Sequence, residues 1–403
     1  MNEPFAPWPS YTQEEADAVA RVLLSNKVNY WTGQEGRAFE QAFASWCEAG
    51  HAVAVANGTV ALDLALAGLG IGACNGGTAE DAVIVTPRTF LASVSSVVNA
   101  GAVPVFADVD RNSGNITADT VAAVLTPNTK AIIAVHLAGW PCDMDPIMTL
   151  ARQHRLKVIE DCAQAHGARY KGRSVGSIGD VAAWSFCQDK IMTTGGEGGM
   201  VTTNDRDLWS AMWSYKDHGK SWEAVYERQH PPGFRWLHES FGTNWRMTEM
   251  QATIGRIQLG RMADWTAKRE ENAKTIADAL EPFAKKGGPI RLPEFSSANG
   301  SVHAQYKFYA YVRRQNLAPD WSRDRIVAEI TARGVPCFQG SCSEVYLEKA
   351  FDDTGWRPET RLPVARELGE TSLMFLVHPT LGKGEMEKTA SVASQILGMA
   401  QQE

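Results

Sequence analysis

The chain of 403 residues lacks the features that define several classes of protein. It has no run of about 18 apolar residues, and its N-terminus has neither the basic nor the apolar region of a signal peptide. We therefore expect a cytoplasmic protein that does not associate with membranes. The formal net charge is -7, so the chain has no excess of basic residues to neutralise the phosphates of a nucleic acid. We expect no nucleic-acid partner.

Metal-binding patterns are also missing. The 7 cysteines include no CxxC pair, and no histidine cluster has the spacing of zinc ligands, so we predict mostly buried thiols and no bound metal. Apolar residues make up 44% of the chain and charged residues 21%, which is typical of globular proteins. At roughly 150 residues per domain, this length predicts two or three domains.

Residues 50–205 alternate short apolar runs with helical stretches. Residues in the five runs are apolar at successive positions, which is typical of strands buried on both faces of a mainly parallel sheet. The runs span 82–86, 103–107, 130–137, 156–161 and 181–186. Helices are predicted between them at 59–69, 92–100, 119–125 and 145–154. This order predicts a doubly wound α/β domain.

After residue 204 the pattern becomes helical and aromatic. The periodic segment 247–283 predicts a helix that links a large domain to a smaller one. The remaining chain predicts an α+β unit with strands at 306–312, 335–338 and 372–378, a helix at 324–333 and a last helix. We therefore expect a large domain at 1–260, with an N-terminal arm, and a small domain at 261–403.

Three segments contain residues that could take part in catalysis or ligand binding. In 52–70, a strand leads through Asn57 and Gly58 to a helix starting near Thr59, and a helix N-terminus with a glycine can bind phosphate. The alternative is a turn followed by an N-cap threonine. Asp161 ends an apolar strand, where it can hold a protonated ring nitrogen or a metal, or simply cap the next helix. Lys190 follows another strand in a loop rich in glycine and threonine.

A single lysine usually lies on the surface, where its charge is solvated. A phosphate site, a carboxylate and an amine in one crevice, however, describe a pyridoxal phosphate site, in which lysine forms a Schiff base and the carboxylate pairs with the ring nitrogen. The segments that carry this combination resemble the DegT-type sugar aminotransferase family of fold-type I pyridoxal phosphate enzymes. Matching stretches occur at 31–43, 55–66, 83–90, 103–110, 129–145, 158–172, 185–190, 197–201 and 244–259.

The resemblance implies a fold and a set of roles. The fold is a large domain with a mainly parallel, seven-stranded sheet covered by helices, plus a smaller α+β C-terminal domain. Lys190 is implied to be the Schiff-base lysine and proton shuttle, and Asp161 the partner of the pyridine nitrogen. Gln164 is implied to lie by the phenolic oxygen of the cofactor. Phe90 is implied to stack on its ring, and the alternative is that Phe90 belongs to the core.

The resemblance also implies how the cofactor phosphate is bound. Gly58, Thr59 and Ser185 are expected to bind it within one subunit. Asn244 is expected to reach it from the partner subunit, which implies a homodimer with shared active sites. The alternatives are that Ser185 only satisfies a strand end and that Asn244 caps a helix beginning near Met247.

Substrate contacts follow less directly from the family. Candidates for contact with a diphosphate, a sugar or the donor carboxylate are Arg88, His218, Tyr306, Lys307 and His378. The alternatives are that Lys307 is a solvated surface residue and that His378 is buried in the core with its hydrogen bonds satisfied. Arg88 departs from the family pattern, and either an acidic substrate group or a structural ion pair explains it. The loop after Lys190 also has one residue more than is usual in the family.

The implied activity is transfer of an amino group from glutamate or glutamine to a keto group of a nucleotide-linked deoxysugar. The pathway would be biosynthesis of amino sugars for surface polysaccharide, such as lipopolysaccharide O-antigen, or of secondary metabolites. A cyclitol ketone or an aminohydroxybenzoate-synthase-like reaction is an alternative, and so is a pyridoxal phosphate-binding regulator. A sugar 3-dehydratase would have histidine in place of Lys190. A nicotinamide enzyme is disfavoured because no G-x-G-x-x-G opens the first βαβ unit.

Overall fold

The computed structural model describes residues 5–229, 236–341 and 343–402. The strands in these residues are β1 (His51–Val55), β2 (Ala82–Val85), β3 (Val103–Phe106), β4 (Thr129–Val135), β5 (Lys157–Asp161), β6 (Arg169–Tyr170), β7 (Arg173–Ser174), β8 (Val181–Ser185), β9 (Gly199–Thr203), β10 (Ile290–Arg291), β11 (Phe308–Val312), β12 (Cys337–Phe338) and β13 (Ser372–Phe375).

The α-helices of the described residues lie between and after these strands. They are α1 (Gln13–Leu24), α2 (Glu35–Trp46), α3 (Gly58–Gly68), α4 (Ala92–Asn99), α5 (Ala118–Ala122), α6 (Met144–His154), α7 (Arg206–Tyr215), α8 (Trp222–Tyr226), α9 (Glu249–Leu259), α10 (Met262–Ala284), α11 (Arg323–Ala332), α12 (Pro363–Thr371) and α13 (Lys383–Ala400). None of them is long and apolar enough to cross a bilayer.

A seven-stranded sheet forms the centre of the larger part of the chain. Its order is β1-β9-β8-β5-β4-β2-β3, and only β9 runs antiparallel to its neighbours. Side chains from both faces enter cores, since Ile133 packs in one hydrophobic cluster and Ile132 in another. The continuous apolar runs of the sequence reflect this burial on both faces. The expected mainly parallel α/β sheet is confirmed.

A second, four-stranded antiparallel sheet forms in the C-terminal part, in the order β10-β11-β13-β12. Helices α10, α11 and α13 pack together around it, and their apolar residues share one core that includes Ile276, Ile326 and Ile396. This is the α+β arrangement that the sequence predicted.

The predicted continuous helix at 247–283 is wrong, because the structure has two helices there. Helix α9 ends at Leu259, and α10 begins at Met262 after Gly260 and Arg261. Glycine is a poor helix former, and each helix finds a different partner: α9 packs on α1 and α2, whereas α10 packs on α13. A domain boundary near residue 260 fits these contacts and stays a prediction.

A buried hydrogen bond between His136 and Glu160 fixes the ends of β4 and β5. Nε2 of His136 lies 3.0 Å from Oε2 of Glu160, and both side chains are fully buried. Burial opposes the charged forms, but the pairing with His136 and bonds from backbone N–H groups, including Gly176 and Gly179, hold the pKa of Glu160 below its ordinary value. Such a network sets the position of Asp161, the next residue.

Cys162 lies beside this pair. Its sulfur, a ring nitrogen of His136 and a carboxylate oxygen of Glu160 lie within 4.8 Å of one another, a grouping that the sequence spacing did not indicate. Nδ1 of His136 already accepts the Cys142 N–H, and Glu160 is saturated with donors, so we interpret the group as a hydrogen-bond network.

Most of the described cysteines are buried, as predicted. They are Cys47, Cys142, Cys162 and Cys337, whereas Cys187 is half-buried and Cys74 exposed. Cys342 lies outside the described residues.

Candidate active site

A cavity of about 580 Å³ lies at the carboxyl ends of the parallel strands. Such strand ends are where open α/β sheets bind ligands. Seven of the eight residues predicted to bind the cofactor line it: Gly58, Thr59, Phe90, Asp161, Gln164, Ser185 and Lys190. The structure therefore brings together residues that are up to 132 positions apart in the sequence, from Gly58 to Lys190.

One wall of the cavity is the N-terminus of α3. The N-cap is Asn57 and not Thr59, because Oδ1 of Asn57 accepts the N–H of Val60 at 2.9 Å. The N–H groups of Gly58 and Thr59 have no acceptor among the described residues, so they can bind an anion. A side chain at Gly58 would lie 2.6 Å from Cβ of Ser185, and only glycine lets the helix approach β8 so closely.

Asp161 is held at the floor of the cavity by two donors. Oγ of Ser93 donates to Oδ2 at 2.7 Å, and the N–H of Ala163 donates to Oδ1 at 3.1 Å. Oγ1 of Thr89 lies 2.7 Å from Oγ of Ser93. Because Ser93 gives its only hydroxyl proton to the carboxylate, Thr89 must donate to Ser93. This chain of hydroxyls orients the carboxylate.

Gln164 is oriented by backbone and not by a side chain. Its Oε1 accepts the N–H of Ala138 at 2.8 Å, which leaves the amide nitrogen without an acceptor in the described part of the chain. The free N–H₂ group can donate to an oxygen of a molecule in the cavity.

Phe90 is 69% exposed although it is a large apolar residue. It lines the cavity, so the alternative that it belongs to the core is wrong. An aromatic ring in this position offers a flat face to a ring in the cavity.

Lys190 lies near a carboxylate and an aromatic ring. Its Nζ is 3.7 Å from Oδ1 of Asp189 and 5.4 Å from the ring centre of Tyr306, and its side chain is 15% exposed. Burial tends to raise the pKa of Asp189, but the charge of Lys190 and the Tyr306 hydroxyl hold it below its ordinary value. Asp189 therefore stays anionic beside the lysine.

The loop after Lys190 contains two glycines with positive φ angles. Gly195 and Gly196 have φ angles of +85° and +118°, a backbone conformation that favours glycine. The turn at these glycines returns Glu197 to the cavity wall.

Of the substrate candidates, Tyr306 and Lys307 lie close to the lysine loop. The hydroxyl of Tyr306 donates to Asp189, and Nζ of Lys307 lies 4.8 Å from the Tyr306 ring centre. Burial lowers the pKa of Lys307 to about 8, and the charges of Arg269 and Lys190 add to this effect. Lys307 is therefore not the solvated surface lysine of the alternative interpretation.

None of the five substrate candidates lines this cavity. His378 is buried, lies next to the ring of Trp8 and bonds to Thr380, and burial lowers its pKa to about 3. His378 is therefore a buried histidine with a hydrogen-bond partner, as in the alternative to a substrate contact. His218 is exposed and lies beside the segment that contains Asn244.

Arg88 is 1% exposed and also lies outside the cavity lining. Its Nη1 donates to Oγ of Ser343 at 2.8 Å, while Nε has no partner. No carboxylate of the described chain pairs with it, so the structural ion pair proposed for it is wrong.

Asn244 is exposed and is not part of the cavity of its own chain. The helix that follows is capped by Thr248, whose side chain accepts from the N–H of Gln251. The alternative role of Asn244 as a helix cap is therefore wrong.

Sequence reasoning missed Thr89, Ser93 and Asp189. The signal for Ser93 was a hydroxyl on the stripe of α4 that also buries Val94 and Val97, since a polar residue on a core-facing stripe needs a partner. Thr89 and Asp189 each adjoin a residue that the sequence did indicate.

Comparison with known proteins identifies the chain. The model of the DegT/DnrJ/EryC1/StrS aminotransferase family matches residues 9–394. The chain belongs to this family. It is 66% identical to the aminotransferase of Psychrobacter cryohalolentis, whose X-ray structure superposes with a TM-score of 0.95 over 98% of this chain and 99% of that one.

Two further relatives are less similar. GDP-perosamine synthase of Caulobacter vibrioides is 36% identical over 91% of this chain and 92% of its own length. The structure of S. venezuelae DesV, in complex with a ketimine intermediate, is 32% identical with a TM-score of 0.83 over 98% of this chain and 99% of that one. The protein is thus an aminotransferase with the fold-type I architecture, and membership of the family implies pyridoxal phosphate chemistry.

The hydrogen bond from Ser93 to Asp161 predicts a difference in stability. In the ligand-free aminotransferase, Ser93→Ala should lower the free energy of unfolding by about 1.5–3 kcal/mol, because the bond is to a charged group. Ser96→Ala is the matched control: Ser96 is buried on the same helix but bonds to a neutral carbonyl at 3.3 Å, so about 0.5–1.5 kcal/mol is expected. Equilibrium denaturation measures both, and an equal loss in the two variants would contradict the charged bond.

Proposed function

We propose that the protein transfers an amino group from glutamate or glutamine to a keto group of a nucleotide-linked deoxysugar, with pyridoxal phosphate as cofactor. The observation that carries the proposal is the convergence of Lys190, Asp161 and the open N-terminus of α3 on one cavity. The cytoplasm stays the predicted location.

The residues present fit pyridoxal phosphate. The free N–H groups of Gly58 and Thr59, with the hydroxyls of Thr59 and Ser185, would bind the phosphate. Asp161 would pair with the ring nitrogen, Gln164 would donate to the phenolic oxygen, and Phe90 would cover one face of the ring. When bound, the cofactor supplies an electron sink for carbanions.

Each residue then has a defined task. Asp161 is a carboxylate held by Ser93 and Ala163, and it keeps a proton on the ring nitrogen by charge. Lys190 would hold the cofactor and, as a free amine, would take up and return the proton of the donor α-carbon. Asp189, itself bonded by Tyr306, attracts the ammonium form of Lys190 toward one wall.

The relatives of the chain indicate which class of ketone accepts the amino group. GDP-perosamine synthase, by its name, makes an amino sugar linked to a nucleotide, and it is similar to this chain over nearly its whole length. We therefore place nucleotide sugars ahead of a cyclitol ketone or an aminohydroxybenzoate precursor. A regulator without catalysis would not need the lysine in the cavity.

A mass-spectrometric screen tests this function. Keto-sugar nucleotides are incubated with the enzyme and with glutamate or glutamine labelled with nitrogen-15, and we expect the label in an amino-sugar nucleotide. Lys190→Ala should retain cofactor binding but transfer no label. Transfer to a free cyclitol ketone and to no nucleotide would overturn the substrate class, and label transfer by Lys190→Ala would overturn the role of the lysine.

The active site is also proposed to be shared in a homodimer. Asn244 is exposed and outside its own cavity, and Trp236 and Phe241 near it are 80% and 99% exposed. Large apolar side chains exposed in one segment favour burial against another chain. In this arrangement Asn244 would bind the phosphate of the partner subunit.

Mixing two inactive variants checks the shared site. Lys190→Ala chains re-dimerised with Asn244→Leu chains should recover activity, because one site in each heterodimer then has both an intact Lys190 and an intact Asn244. The Asn244 bond to phosphate is charge-assisted and worth about 1.5–3 kcal/mol, which is enough to measure. If heterodimers form, as native mass spectrometry can establish, and stay inactive, Asn244 does not bind the phosphate of the partner subunit.

A further inference from the structure

A second cleft, of about 530 Å³, is rich in arginine. Its side chains come from the loop after β3, from β10 and β11 with the residues that follow, and from α12. Six arginines line it: Arg111, Arg291, Arg313, Arg314, Arg361 and Arg366. It shares no lining residue with the cavity that contains Lys190.

The carboxylates of this cleft do not balance its arginines. Only Glu367 and Glu370 line it, in a protein whose formal net charge is -7. Glu367 pairs with Arg111 at 2.7 Å. Glu370 is shared by Arg314, Arg361 and Arg366, of which Arg361 also reaches Glu344. Like charges gathered in this way repel one another unless an anion neutralises them.

Two of the arginines form no ion pair with any described carboxylate. Arg291 donates to the carbonyl of Arg111 at 2.7 Å and lies 4.3 Å from the ring centre of Tyr311. Arg313 donates to the carbonyl of Lys285 at 2.7 Å. Carbonyls and an aromatic face orient these guanidinium groups but do not neutralise them. Burial, with the nearby charge of Arg111, also lowers the pKa of Arg291.

We propose that this cleft binds a diphosphate group, either free or as part of a nucleoside diphosphate, at a site separate from the catalytic cavity. Guanidinium groups bind phosphate oxygens through two parallel hydrogen bonds, and the lining contains six arginines and no lysine. Arginines on several elements match an anion with several oxygens. The site does not depend on the proposed transamination.

The cleft also joins two parts of the fold. Arg111 follows β3 of the large sheet, whereas Arg291 and Arg313 lie at the edge of the small sheet. The side chain of Asn112 extends this junction by bonding to the backbone of Glu294 at both its oxygen and its nitrogen. A bound diphosphate would therefore contact both sheets through their flanking arginines.

Isothermal titration of the cofactor-loaded enzyme with inorganic pyrophosphate tests the site. Loading the cofactor occupies the phosphate site at α3. We expect saturable binding of one pyrophosphate per chain, weakened by salt, and a loss of about tenfold in affinity in each of Arg291→Gln and Arg313→Gln. Neither change leaves a carboxylate without its partner, so both variants should fold, and thermal unfolding and cofactor absorbance check this.

Arg325→Gln is the matched control. Arg325 also donates to a backbone carbonyl, that of Asp320, and lies 4.4 Å from the ring centre of Trp321, but it is outside the cleft. Arg325→Gln removes the same charge as the cleft variants and should change the affinity for pyrophosphate by less than about twofold. An equal loss of affinity in Arg325→Gln would mean that the overall charge of the protein causes the effect, and it would overturn the proposed site.

Four further results decide the remaining possibilities. Absence of saturable binding to the wild-type enzyme overturns the proposal, and so does pyrophosphate binding that the cleft variants leave unchanged. If UDP, GDP or dTDP competes with pyrophosphate and binds more tightly, the ligand is a nucleoside diphosphate. If pyrophosphate binds more tightly than all three, the ligand is the free diphosphate.

Discussion

The bond from the Ser93 hydroxyl to the Asp161 carboxylate is the interaction on which the candidate site depends. Asp161 is buried at the end of a strand that is itself covered on both faces, and a charge in such a place needs donors. Ser93, which is itself bonded by Thr89, supplies one donor from the segment that also presents Phe90, and the N–H of Ala163 supplies the other. One short stretch of chain thus orients the carboxylate and places an aromatic ring above the same cavity.

The remaining parts of the site follow from the ends of neighbouring strands. Ser185 ends β8, beside β5, and the α3 helix approaches it closely because Gly58 has no side chain. Behind the site, the His136–Glu160 pair ties the ends of β4 and β5 to the backbone around Gly176. A site built on strand ends with a buried network beneath it keeps its geometry without a ligand.

Sequence reasoning located the parts of the site that a local pattern encodes. Continuous apolar runs predicted the parallel strands, and Asp161 and Lys190 were identified from their positions at or after strand ends. Ser185 was implied by the family resemblance. The antiparallel strand β9 was not predicted, because its residues GMVTT mix apolar and hydroxyl side chains. The break near Gly260 was missed because both helices have a similar period, and only their different packing partners separate them.

Other features depend on contacts between distant segments, which a sequence does not display. Ser93 meets Asp161 across 68 positions, and Arg88 meets Ser343 across 255. The exposure of Phe90 and the burial of His378 likewise depend on which elements pack around them. The arginine cleft is the clearest case, since its residues are dispersed from Arg111 to Arg366 and none belongs to a recognisable motif.

The central claim is that Asp161, held as a carboxylate, keeps the ring nitrogen of the cofactor protonated. The most direct measurement is the nitrogen-15 chemical shift of pyridoxal phosphate labelled at its ring nitrogen and bound to the enzyme. We expect the shift of a protonated ring in the wild-type protein throughout the neutral pH range, and that of an unprotonated ring in Asp161→Asn, because the amide has no charge to hold the proton. The same shift in both proteins would contradict the account.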